Sequence, residues 1–238
     1  MIRNLLYTFG DNITTLLPRK GIEKSLPRCE ALLVAVISNE IQHLPYDSFL
    51  FRWVRALGCN TTCTSPDEVV RFKSWPYLRI GDPFEGQLCP DVLIELADSV
   101  LFFEFKRMAI TPSANSITAE QLGKQHFALS RLASGRQYRQ IIVVNTAPQV
   151  YVTKQGLRDP ATVILEWLQD NGVSKDNRSV RECVLCLTIE ELQSIISGVI
   201  ETCKADAPTQ GIIDLYQRAQ ATIAELIEGQ KRLVSSLT

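Results

Sequence analysis

The chain has 238 residues, 45% of them hydrophobic and 21% charged, with a formal net charge of −1. This length and apolar content suffice for one domain, or for one domain with a helical extension, and exclude a disordered, collagen-like or low-complexity chain. The near-neutral balance excludes a polycation, so any affinity for polyanions has to come from basic residues gathered locally.

Asp11 and Asn12 break the N-terminal segment before it reaches signal-peptide quality. No apolar run reaches the roughly 18 residues of a membrane helix. The seven cysteines are an odd, scattered set. With no export signal they read as reduced thiols of a cytoplasmic protein without a membrane partner. Cys59/Cys63 and Cys183/Cys186 are spaced like zinc ligands, but a structural zinc needs about four. RECVLCLTI reads as a strand, where residues three apart face opposite ways. The two histidines, His43 and His126, join no cluster. Buried apolar cysteine is the reading adopted.

In chain order, Leu33, Val34, Ile37, Ile41 and Leu44 recur at helical spacing and predict a helix over 28–44, ended by Pro45. A second helix over 47–57 stops at Gly58. A polar loop over 59–67 leads to an irregular strand over 68–80 and the turn-rich GDPFEGQLCP. DVLIEL and VLFFEFK are strong strands around a short turn at Ala97-Asp98. A helix over 118–134, a strand RQIIVVNTA, a helix over 160–170 and a strand VRECVLCLTI follow. The expected fold is therefore α/β, a central mixed sheet flanked by helices. Residues 1–200 are assigned to it and 201–238 to an α-helical C-terminal extension. From 209 to 237, Ile212, Tyr216, Ala219, Ile223, Leu226, Gln230, Leu233 and Leu237 recur at spacings of four and three. Such a seam packs on its own domain or pairs two chains as a homodimer.

The hairpin carries the chemistry. If Ala97 and Asp98 form a two-residue turn, Leu96 faces Ser99 and Asp91 faces Glu104. Cross-strand partners bring their Cβ atoms to about 4.5–5.5 Å. Two carboxylates side by side repel unless a cation lies between them. Oxygen donors of this kind suit Mg²⁺ or Mn²⁺. Lys106, two residues beyond Glu104, shares its face.

Pro90-Asp91 followed by Glu104-Phe105-Lys106 resembles the PD…(D/E)xK pattern of the PD-(D/E)xK nuclease superfamily, which has the restriction-endonuclease-like fold. Gln121-Leu122, at the start of the next helix, resembles the Gln-Leu pair found in many members. The resemblance spans residues 28–146 as an order of elements. It implies that Asp91 and Glu104 bind metal with the main-chain carbonyl of Phe105. Lys106 would assist the attacking water, and Gln121 would position the lysine or a phosphate. Glu30, near the middle of the apolar stripe of the first helix, would complete the metal site, with Glu40 in reserve. His126 reads as packing. The implied activity is metal-dependent hydrolysis of phosphodiester bonds, with DNA the first choice of substrate and RNA open to the same chemistry.

From Gln121 to Arg158 the chain has no acid but holds Lys124, Arg131, Arg136, Arg139, Lys154 and Arg158. With Arg107 these cations are read as a nucleic-acid surface beside the metal site. Trp75 and Tyr138 are candidates to stack bases, and the segment 59–90 is the candidate for specificity loops. The alternative is a catalytically inactive nucleic-acid or protein interaction module on the same fold.

Overall fold

The computed structural model describes residues 30–106, 119–144, 151–153, 156–173 and 177–235. The described residues divide into two compact units: one holds those from Glu30 to Trp53 together with those from Gln193 to Ser235, and the other lies within Val54 to Leu192. The break expected after residue 200 thus falls at Gln193, and the N-terminal helix belongs with the C-terminal ones.

The unit from Val54 to Leu192 is α/β. Its mixed sheet has five strands in the order β1-β4-β5-β6-β9. These are β1 (Val69–Ser74), β4 (Val92–Leu96), β5 (Ser99–Lys106), β6 (Gln137–Val144) and β9 (Val184–Thr188). Two short hairpins stand apart: β2 (Leu78–Arg79) with β3 (Gln87–Leu88), and β7 (Tyr151–Thr153) with β8 (Gly156–Arg158). β1, β4 and β5 run antiparallel in turn, whereas β5, β6 and β9 are parallel. A parallel neighbour requires a crossover, and α3 (Ala119–Ala133) supplies it between β5 and β6.

The hairpin register is the one the two-residue turn demands: Val92 pairs with Phe103, Leu93 with Phe102, Ile94 with Leu101 and Glu95 with Val100. Asp98 fixes that turn. It accepts from the Thr61 hydroxyl at 2.7 Å, the Thr62 N–H at 2.6 Å and the Thr62 hydroxyl at 3.0 Å. Burial works to raise its pKa, but these bonds and one from the Cys63 thiol outweigh it and hold the carboxyl down to about 2.

On the α3 side of the sheet, Leu93, Val100 and Phe102 pack with Leu129 and Ala133. Ile142 and Val144 pack with Leu122 and Phe127 of α3 and with Val163, Ile164 and Leu168 of α4 (Pro160–Asp170). The helices meet at Gly123, where a Cβ would lie 2.0 Å from the Trp167 ring. Asp159 caps α4 by accepting the Thr162 N–H at 3.0 Å, with Pro160 at the first helical position.

The strand expected over VRECVLCLTI is shorter than that. Asn177–Cys183 is a helix, α5, and the strand begins at Val184. Val180 is fully buried in the core cluster, and Arg178 pairs with Glu182 one turn on at 2.7 Å, so helical spacing wins there. Cys183 and Cys186 therefore lie on different elements, and the strand-parity argument does not apply to them. Among the described residues no group of three or more His, Cys, Asp and Glu side chains is placed to hold a metal ion.

The other unit is helical. It contains α1 (Glu30–Gln42), a π turn (Tyr46–Leu50) and α7 (Gln210–Ser235). α2 (Phe51–Ala56) starts in it, and most of α6 (Ile189–Ala205) lies in it. The sequence reading did not isolate α6. Tyr216, Ala219, Ile223 and Leu226 of the α7 seam are buried within the single chain. The Tyr216 hydroxyl shares a hydrogen bond with Ser48 at 2.8 Å, and Arg52 pairs with Asp206 at 2.7 Å. Leu233 and Gln230 lie where side chains are not described, and Leu237 is outside the described residues. No helix among the described residues is long and apolar enough to cross a membrane.

Candidate functional site

The site begins where the β4–β5 ladder ends. Asp91 lies one residue before β4, its N–H donating to the Phe103 carbonyl at 3.0 Å. Its carboxylate Oδ2 accepts the N–H of Phe105 at 2.7 Å, so a side chain continues the ladder where main-chain pairing stops. On the other side the Asp91 carbonyl accepts the Trp75 N–H at 2.9 Å. Asp91 is therefore tied to both neighbouring strands.

Glu104 has the strand parity of Val100 and Phe102, so it points toward α3. Only 3% of it is exposed. Gln121 donates to Oε1 at 2.8 Å and Gln125 to Oε2 at 2.7 Å. Residues four apart share a helix face, so both amides reach one carboxylate and fix its plane. Gln125 in turn accepts from Gln140 of β6 at 3.4 Å, and Gln140 pairs with His126 Nδ1 at 3.1 Å. His126 is fully buried with its ring 5.6 Å from that of Tyr138, as its reading as packing implies. Burial first, and then the charges of Asp91 and Glu104, push the Cys89 thiol up. One thiol feels both carboxylates.

The structure thus brings together Asp91, Glu104, Phe105 and Gln121. Gln125 is an addition that sequence reasoning missed, although its spacing of four from Gln121 was the available signal. Lys106 is in β5 with its main chain opposite Val144, but its side chain lies outside the described ones. Glu30 is the first residue of α1, again without a described side chain. Glu40 is buried in the helical unit, where burial pushes its carboxyl up against the charges of Arg218 and His43.

No family model, curated protein or solved structure matches the chain.

The predicted basic surface is largely taken up by other contacts. Arg136 pairs with buried Glu95 at 2.9 Å and donates to the carbonyls of Leu96, Leu132 and Ala133. Arg71 approaches the other Glu95 oxygen at 2.8 Å, so Glu95 is a structural acid held by two cations. Arg139, one residue from Gln140 and so on the opposite sheet face, donates twice to the Gly58 carbonyl, at 2.7 and 3.1 Å. Lys124 pairs with Glu120 at 2.6 Å on the surface of α3. Arg131 donates to the Asp82 carbonyl and lies over the Phe127 ring at 5.6 Å. Arg107 and Lys154 fall outside the described residues, and the Arg158 side chain is not described. Arg136 and Arg139, both half-buried, are thus engaged in contacts with Glu95 and with main-chain carbonyls.

Two carboxylates are a hard oxygen donor set. Mg²⁺ is typically held by one or two carboxylates, with waters and substrate phosphates completing its shell. Asp91 and Glu104 fit that share.

Proposed function

We propose that this chain is a metal-dependent nuclease of the PD-(D/E)xK type, hydrolysing phosphodiester bonds, with DNA the first candidate substrate. The observation that carries the reading is the convergence of Asp91 and Glu104 at the end of one hairpin, the first on the Phe105 N–H and the second between two glutamine amides. A buried carboxylate is costly unless it is hydrogen-bonded, paired or coordinates a metal, which is the role this reading gives Glu104. The order of elements, a hairpin followed by a helix and a parallel strand, supports a restriction-endonuclease-like fold.

In this reading Asp91 and Glu104 hold Mg²⁺ or Mn²⁺, helped by the main-chain carbonyl of Phe105. When bound, such an ion polarises the phosphate and makes water a better nucleophile. Lys106 orients that water and offsets charge developing on the phosphate. Gln121 and Gln125 keep Glu104 in a single rotamer.

The test is cleavage of linear duplex, circular duplex, single-stranded DNA and RNA with Mg²⁺, Mn²⁺ or EDTA. Cleavage is expected to require metal and to fall by about 10²-fold or more in Glu104→Ala and Lys106→Ala. Cleavage that survives both substitutions would remove the assignment. The second reading, an inactive interaction module, is favoured by one observation: both Glu104 oxygens already accept amide hydrogens. Calorimetric titration with Mn²⁺ separates the two, because only the nuclease reading requires heat that disappears in Asp91→Ala.

A further inference from the structure

Residues 69–80, VVRFKSWPYLRI, hold three cations and no acid. Arg71 is used internally on Glu95. Lys73 and Arg79 are exposed and make no ion pair among the described residues. Between them Tyr77 is 80% exposed, an unusual position for a large ring that could bury itself. Among the described residues the other exposed large hydrophobic side chain is Val70, at 59%.

The segment has a defined place relative to the carboxylates. β1 is the edge of the sheet, and Lys73 pairs with Leu93, which packs toward α3. Cross-strand partners share a face, so Lys73 stands on the sheet face of Glu104. At the end of β1, Trp75 donates its N–H to the carbonyl of Asp91. Trp75 adopts a left-handed backbone with φ 49°, strained for a bulky residue. The chain turns there, immediately before Tyr77. The exposed acids Asp82 and Glu85 lie beyond Ile80 in the β2–β3 turn.

We infer that Lys73, Tyr77 and Arg79 form a binding strip for single-stranded nucleic acid, leading an unpaired strand toward Asp91. This deepens the nuclease reading and rests on it for the direction of the strand. A lone exposed ring can stack only on a base that is not covered by its neighbours in a duplex. Two flanking cations with no ion pair among the described residues supply the phosphate contacts. A protein partner would be met by a larger apolar patch than one ring.

The experiment is fluorescence anisotropy of a labelled oligothymidylate of about sixteen nucleotides, with oligouridylate and a duplex of the same length in parallel. EDTA is present throughout, so that cleavage plays no part. Either single strand is expected to bind more tightly than the duplex. Tyr77→Ala is expected to weaken binding about fivefold to a hundredfold, whereas Tyr77→Phe retains it. Lys73→Gln and Arg79→Gln are each expected to lower the slope of log affinity against log salt by about 0.7. Thermal unfolding verifies that the variants fold. Binding by a parent protein that cleaves neither DNA nor RNA with Mg²⁺ or Mn²⁺ would defeat the nuclease reading and spare the strip. No binding, a preference for duplex, or indifference to Tyr77→Ala overturns the strip and leaves the carboxylate site to be judged by cleavage alone.

Discussion

Asp98 illustrates how much one turn residue does. Its carboxylate ties the β4–β5 turn to the Thr61–Cys63 loop through hydrogen bonds that favour the charged form. Because its folded value, about 2, lies below the ordinary carboxylate range, the stabilisation is present at neutral pH. It is lost as pH falls through the folded value. Asp98→Asn is expected to lower stability by roughly 1 kcal/mol at pH 7, after allowance for solvent screening. Urea midpoints over a pH series should show the gap to the parent protein closing in acid. Arg136→Met tests the other buried acid. Removing one of the two cations on Glu95 is expected to lower stability by about 3 kcal/mol, read from the same midpoints. Asp91 and Glu104 were legible because a two-residue turn fixes the register of everything beyond it. Gln125 and Gln140 were not, because their value lies in a hydrogen-bond chain between a helix and two strands. The pairing of Arg136 with Glu95 was not legible for a related reason: charge is visible in a sequence, but the buried acid that meets it looks like any other polar residue in an apolar strand.

Among the elements, those with local punctuation were read well. Asp159 and Pro160 open α4, and Ser134 and Gly135, both left-handed, close α3. α6 carried an equivalent signal that was passed over. Thr188 and Glu191 form a reciprocal cap, with Glu191 accepting the Thr188 N–H at 2.7 Å and Thr188 accepting the Glu191 N–H at 3.1 Å. The α5–β9 boundary had no such marker. A short apolar run is compatible with either periodicity, and the burial of Val180 decides it. The α3–α4 contact gives a direct test. At Gly123 any side chain meets the Trp167 ring, so Gly123→Ala is expected to destabilise the protein by about 1–3 kcal/mol, measured by thermal unfolding. Because α3 also carries Gln121 and Gln125, the same variant should lose Mn²⁺ affinity if the helix position sets the geometry of Glu104.

For the molecule as a whole, the sequence suggested a domain followed by a tail, whereas the helical unit is assembled from both sides of the α/β unit in the chain. Hydrophobic spacing identifies faces but does not say which distant face covers which. The α7 seam is a case in point: its buried members, Tyr216, Ala219, Ile223 and Leu226, are covered within one chain. Ile223→Ala is therefore expected to lower stability by about 2–5 kcal/mol without changing the sedimentation mass. A halved mass would show instead that the seam joins two copies.

The discontinuous unit also sets an order of events on the ribosome. Synthesis at about 5–20 residues per second must carry the chain from the end of α1 through the whole Val54–Leu192 unit before the rest of the helical unit exists. During that interval the α/β unit has all its own strands, while Leu33, Val34, Ile37 and Ile41 await the segment that completes their unit. The earliest described helix is thus among the last to be satisfied, and a nascent chain stalled before Gln193 would be the form most in need of a chaperone.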